Sequence, residues 1–150
     1  MGQACLLSEL SNKARMETHL DDITDPSLVI LKSHLLVEEA LFLAIQKKLV
    51  HPKYLINSRL SFAQLLILTK ALYFKEEHAQ IWNALDALNK ARNKLAHCLE
   101  PEGLDVHLKK ACFFVQTREE ISINNPEIAS ILHQASGFLI GFTSSLTNDE

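Results

Sequence analysis

Glycine and proline are scarce, four of each in 150 residues. So little punctuation argues against many short strands and tight turns and favours long helices. No apolar run approaches the roughly 18 uninterrupted residues of a membrane span, so no membrane association is expected. The N-terminal stretch lacks the apolar core of a signal peptide. Met1-Gly2 is followed at position 6 by Leu6, where a myristoylation signal wants Ser or Thr. Positive charge is not in excess either. The net charge of −3 and pI near 6.2 lack the footprint of a protein that coats nucleic acid. Any RNA contact must therefore use a local positive patch. Cysteine is limited to Cys5, Cys98 and Cys112, an odd set without C-x-x-C spacing. Such a set implies reduced thiols and a cytoplasmic setting. No histidine stands at ligand spacing around a cysteine pair, so neither a metal nor another cofactor is expected.

What is present is an ordinary globular mixture, 47 % hydrophobic and 22 % charged, at a length that suits one domain. The periodicity predicts an all-α bundle of five to six helices. A modest N-terminal helix over residues 3–20, with Leu6, Leu7 and Leu10, is expected to lie at the periphery, so that residues 1–24 flank a bundle over 25–146. Asp25-Pro26 starts a long second helix, Asp25 as cap and Pro26 at the first turn. Within it Leu31, Leu35, Phe42, Ile45 and Leu49 form one stripe, and Val29, Leu36, Leu43 and Val50 another. A helix apolar on two sides is central in a bundle. Ser61-Phe62-Ala63-Gln64 reads as a capping box for a third helix, with Leu65, Leu68 and Leu72 inward. A fifth helix is expected from Leu104 to Ile121. A sixth follows Asn125-Pro126-Glu127, where Gly137 and Gly141 would admit a neighbouring backbone.

The fourth helix carries the stretch of greatest chemical interest, Asn89-Lys90-Ala91-Arg92-Asn93-Lys94-Leu95-Ala96-His97. Ile81, Leu85, Leu88, Arg92, Leu95 and Leu99 recur at steps of three and four, so a cation stands on an apolar stripe. Such a charge is costly unless something pairs it. Asn93 and His97, four apart, are neighbours on another face. The second helix has a matching oddity. His34 and Glu38 are four apart, and Glu38 lies among leucines, which makes it the expected counter-charge of Arg92. One reading of this group is structural: a buried Arg92–Glu38 ion pair, with His97 interacting with the end of its helix.

The other reading is chemical. RNA is cut without a metal when a base removes the ribose 2′-hydroxyl proton and the oxyanion attacks the adjacent phosphorus. Imidazole suits the proton transfer. A guanidinium fork suits the charge that develops on the phosphoryl oxygens. Lys90 and Lys94, with Lys109 and Lys110, would add a positive rim for RNA phosphates. The remaining histidines are scattered and read as surface or boundary residues, and Trp82 as core or dimer packing.

Arg92-Asn93-Lys94-Leu95-Ala96-His97 resembles the R-x4–6-H signature of the HEPN superfamily, in which the residue after Arg is typically Asn, Asp or His. The context is similar too: the motif sits late in a helical bundle, after a long central helix with an embedded acid, here Glu38. The resemblance spans Pro26 to about Ser145. It implies a homodimer in which two motifs share one cleft, and a metal-independent RNase of a toxin–antitoxin or phage-defence type. In that reading His97 does acid–base chemistry, Arg92 holds the phosphate and Asn93 positions. Glu38 and His34 support them, RNA is the substrate, and a cognate antitoxin or regulatory protein is a partner. Toxins of the MNT–HEPN pairs often carry a tyrosine two residues after the histidine. Here that position is Leu99, so control through that tyrosine is not expected. Leu28–Leu49, then Leu60–Tyr73, then the Arg-Asn-x-x-Ala-His ending at His97 more distantly resemble mannitol-operon-repressor-like helical proteins, which implies the alternative of a non-catalytic regulatory, antitoxin or immunity protein. That alternative predicts Arg92 buried in a salt bridge and no open cleft at His97.

Overall fold

The structure, a computed structural model, describes residues 12–148. It is all-helical, with six α-helices and no strand among the described residues. In chain order they are α1 (Asn12–His19), α2 (Pro26–Lys48), α3 (Phe62–Tyr73), α4 (Ala79–His97), α5 (Leu104–Ala111) and α6 (Ile128–Ser145). Short 3₁₀ turns occupy Pro52–Tyr54, Glu76–His78 and Leu146–Asn148. Leu6, Leu7 and Leu10, expected on the first helix, lie outside the described residues. No helix among the described residues is long and apolar enough to cross a membrane.

Local signals set the starts of α2 and α3. The Asp25 carboxylate accepts from the Ser27 amide at 3.0 Å, and Pro26 opens the first turn. Both halves of the capping box form at α3: the Gln64 amide donates to Ser61 Oγ at 3.2 Å and the Ser61 amide to Gln64 Oε1 at 2.9 Å.

The central helix α2 packs against α6, α3 and α4, while α5 lies on α4 and α1 on α6. Its buried face differs from the expected stripe. Val29, Ile30, Ser33, His34, Leu36, Val37, Ala40, Leu41, Ala44 and Ile45 are inside, whereas Leu31, Leu35, Leu49 and Val50 are exposed. The reason is close packing of small groups. Ser33 Oγ donates to the Val29 carbonyl of its own helix and accepts from Ser136 Oγ on α6, both at 2.6 Å, so α2 turns Ser33, Ala40 and Ala44 inward and its larger leucines partly outward.

Phase also departs from expectation in α3. Leu65 is buried, but Leu68 and Leu72 are exposed, and Phe62, Leu66, Thr69 and Tyr73 complete the inner face. A segment apolar nearly all round has no phase of its own, so polar anchors select it. Thr69 Oγ1 donates to the Leu65 carbonyl at 2.7 Å, and Tyr73 Oη donates to the Ala44 carbonyl of α2 at 2.7 Å.

The fifth helix stops at Ala111 instead of reaching Ile121. The following chain is held by other bonds. Asp105 accepts from Ser122 Oγ and from the Ile123 amide, both at 2.9 Å, and Thr117 Oγ1 accepts from the Glu119 amide at 3.0 Å. Side chains that bond nearby backbone offer the chain an alternative to helix. The glycines of α6 do not serve a close backbone approach. A methyl group at Gly137 would meet only the tip of Met16 at 3.3 Å, and one at Gly141 would meet nothing within 4 Å.

The core runs through Leu41, Leu85, Leu108 and Leu139, each fully or almost fully buried. Burying such a side chain is worth about 1.5–3 kcal/mol. Trp82 lies in this core, edge-on to Phe142 at 5.5 Å.

Candidate functional site

Helix α4 presents the candidate residues on two sides. Its inner face buries Ile81, Leu85, Leu88 and Asn89, and the next turn along brings Arg92 to the edge of the core, half-buried. Arg92 Nη1 donates to Asn93 Oδ1 at 3.2 Å. Its Nε is buried and has no hydrogen-bond partner. The side chain lines a surface depression of about 340 Å³, together with Leu28 and Leu31 of α2 and Leu95 and Ala96 of α4.

Behind Arg92 lies a polar pair between α2 and α4. His34 Nε2 donates to Asn89 Oδ1 at 3.0 Å, since an amide oxygen can only accept. The ring stacks on Phe62, with centroids 4.2 Å apart. Burial lowers the His34 pKa, the Asn89 bond works against that shift, and the Arg92 charge adds to it. Burial therefore disfavours the charged ring, and the Asn89 bond places a proton on Nε2. The ring's Nδ1 is buried without a hydrogen-bond partner, and Glu38 Oε2 stands 3.8 Å from it. At 3.8 Å, with burial disfavouring the charged ring, this contact lies beyond hydrogen-bond range.

Glu38 is not the ion-pair partner of Arg92 that its place among the leucines suggests. The two helices do pack together, and the Arg92 charge acts on Glu38. Burial raises the Glu38 pKa, Arg92 opposes that rise and Glu39 adds to it. Yet among the described residues no carboxylate lies within 4.0 Å of Arg92. The cause is local: the i, i+4 step keeps Glu38 beside His34 on its own helix, and Arg92 bonds its sequence neighbour. Glu39 is paired separately, with Arg15.

His97, the last residue of α4, is exposed. It lines a second depression of about 530 Å³ with Asn93, Lys94, Cys98, Glu100, Pro101 and Glu102. Arg92 and His97 thus open onto different depressions. Asn93 connects them, bonded to Arg92 and facing His97's side. Lys90 pairs with Asp86 at 2.7 Å. Lys94 reaches over Gly103, where an added methyl would lie 3.8 Å from its Nζ. Gly103 has φ +75°, a left-handed conformation that favours glycine, and it forms the tight entry to α5.

Arg92, Asn93, His34 and Glu38 are therefore gathered at the α2–α4 seam, and His97, Lys90 and Lys94 lie on the outer side of α4. Sequence reasoning did not single out Asn89 as a partner of His34. Its signal was available: an amide three residues before Arg92, on the same inward stripe. Among the described residues no group of three or more His, Cys, Asp or Glu is placed to hold a metal ion. Comparison with family models, curated proteins and solved structures finds no match for this chain.

Proposed function

We propose that this chain is a metal-independent endoribonuclease of the HEPN type, acting as a homodimer in a toxin–antitoxin or phage-defence setting. The observation that carries the reading is the state of Arg92. Its guanidinium is steered by Asn93, has a buried Nε without a partner, and is not neutralised by a carboxylate within 4.0 Å among the described residues. A buried structural ion pair would consume that charge. Here it remains available at the rim of a depression, where a phosphate is a suitable partner. The non-catalytic alternative predicts a salt-bridged Arg92, and the absence of a carboxylate within 4.0 Å of Arg92 among the described residues supports the nuclease reading over it.

In the proposed reaction His97 takes the ribose 2′-hydroxyl proton, and the resulting oxyanion attacks the adjacent phosphorus. Arg92 stabilises the charge on the non-bridging oxygens, and Asn93 keeps the guanidinium turned outward. The P–O5′ bond breaks as the P–O2′ bond forms, the 5′-oxygen takes a proton from water, and the strand ends in a 2′,3′-cyclic phosphate. The guanidinium supplies the positive charge, so this chemistry needs no metal. Arg92 and His97 of one chain open onto different depressions, so a second copy supplies the missing half. The exposed leucines that line the depression with Arg92, Leu28 and Leu31, support that arrangement.

The test is a cleavage assay on total RNA with EDTA present, comparing wild type with His97→Ala. Wild type is expected to leave cyclic phosphate ends, and the variant to lose cleavage at least a hundredfold, the lower range for a lost general base. His97 is exposed, so the variant keeps its fold. Absence of cleavage by a folded dimer would overturn the proposal.

A further inference from the structure

A separate cleft lies between α4 and α5, on the side of α4 away from Arg92. Its volume is about 390 Å³, within the range of small-ligand sites, and its lining includes Gln80, Asn83, Asp86, Lys90, His107 and Lys110. Phe113 completes its wall.

Three observations converge on it. The first is charge. Burial lowers the His107 pKa, and the ammonium groups of Lys94, Lys90 and Lys110 push it further in that order, against Asp86. Three lysines from two helices thus act on one imidazole. Asp86 is offset by its contact with Lys90 at 2.7 Å, which leaves Lys94 and Lys110 as net positive charge.

The second is an aromatic platform. Phe113 is 60 % exposed, an unfavourable state for so large an apolar ring. It is nevertheless held in place. Phe113 sits edge-on to Phe114 at 4.9 Å, and Phe114 stacks on Phe138 of α6 at 4.6 Å. The outermost ring of this ladder presents itself beside the lysines.

The third is continuity. Asn83, Asp86, Lys90, Lys94 and His97 follow one another at steps of three and four, so they form one polar track along α4. The track runs from the cleft to the depression at His97, about 21 Å for the fourteen steps from Asn83 to His97. Lys94 lines that depression and also acts on His107, which joins the two places.

We propose that the α4–α5 cleft seats one nucleotide of a single-stranded RNA, with its phosphates on Lys94 and Lys110 and its base stacked on Phe113. Gln80 and Asn83 offer donors and acceptors to the base edge. The strand then follows α4 towards His97, which makes the cleft the substrate-holding part of the proposed nuclease. A cationic groove with an aromatic face is the usual chemistry of single-strand binding, and it tolerates any base because every base has a π-face. This inference rests on RNA being the substrate.

The experiment measures fluorescence anisotropy of a labelled 2′-O-methyl oligoribonucleotide, which has no free 2′-hydroxyl and so cannot be cut by the proposed chemistry. Wild type is expected to bind it. Phe113→Ala and Lys110→Glu are each expected to weaken binding about tenfold, within the range of one lost base stack. Phe113→Tyr is expected to restore it, since it keeps the ring. Lys110→Glu is also expected to flatten the salt dependence. Both altered side chains are exposed, and circular dichroism checks the fold. Wild-type affinity in Phe113→Ala and Lys110→Glu would overturn the proposal, as would the absence of binding by wild type. An affinity for a mononucleotide equal to that for the oligonucleotide would overturn the strand. Binding without cleavage in the EDTA assay would discard the nuclease and keep the cleft; cleavage indifferent to Phe113 and Lys110 would do the reverse.

Discussion

At the scale of single residues, burial and one partner decide what His34 can do. Its ring is buried, stacked on Phe62 and bonded through Nε2 to Asn89, with Glu38 and Arg92 as the nearby charged groups. Burial holds its pKa below the ordinary 6.5, so below that pH the unfolded chain binds more protons than the folded one. Stability therefore falls as pH drops from 6.5 towards the folded value, with a limiting slope of about 1.4 kcal/mol per pH unit for one proton. Glu38 has the opposite sign. Its pKa is raised above 4.5, so in the window just above that value it contributes stability that is lost as pH rises. His34→Phe keeps the stacking ring and removes the titration. Urea unfolding of this variant is expected to show a shallower loss of stability below pH 6.5 than wild type. Parallel pH profiles would show that His34 is not the titrating group.

At the scale of elements, caps and polar anchors matter more than apolar content. The start of α3 depends on the reciprocal bonds of Ser61 and Gln64. Ser61→Ala removes the acceptor for the Gln64 amide and is expected to cost about 1 kcal/mol, read as a lowered denaturation midpoint at unchanged slope. An unchanged midpoint would mean that water replaces the cap at no cost. The same logic accounts for the end of α5. Nothing in the apolar pattern of Leu108, Cys112 and Val115 signals a stop at Ala111. The bonds of Asp105 to residues 122 and 123 need a chain that has already turned back.

At the scale of the whole molecule, the leucines left outside α2 set the expected assembly. Leu31, 41 % exposed, lines the depression with Arg92, and Leu35, 51 % exposed, follows one turn along the same helix. If a second copy covers them, wild type sediments at twice the chain mass of 16.9 kDa. Leu31→Glu/Leu35→Glu is then expected to sediment as a folded monomer without RNase activity. A wild-type monomer that cuts RNA would sink the composite site, because one chain does not turn Arg92 and His97 into one depression.

Much of the fold was legible in the order of residues, because its signals are local. Asp25-Pro26, the Ser61–Gln64 box and the three-and-four spacing of α4 act within one or two turns; both starts formed as expected, and the α4 stripe held from Ile81 to Leu88, whereas Leu99 lies past the helix end at His97 and is fully exposed. The all-helical class follows from such spacing and from the scarcity of glycine and proline. Candidate chemistry was legible in the same way, since Arg92, Asn93 and His97 share one helix. Which leucines of α2 and α3 face inward was decided only by packing. Both helices are apolar on several sides, and their phase was selected by distant anchors: Ser136 for Ser33, and the Ala44 carbonyl for Tyr73. Tertiary structure also decided the partners of the charges. Spacing pointed Glu38 at Arg92, but a side chain four residues away on its own helix was nearer, and Asn93 was nearer still to Arg92. The meeting of Lys90 and Lys94 with Lys110 and Phe113 joins residues of α4, α5 and the turn after it, and no local pattern encodes that distance.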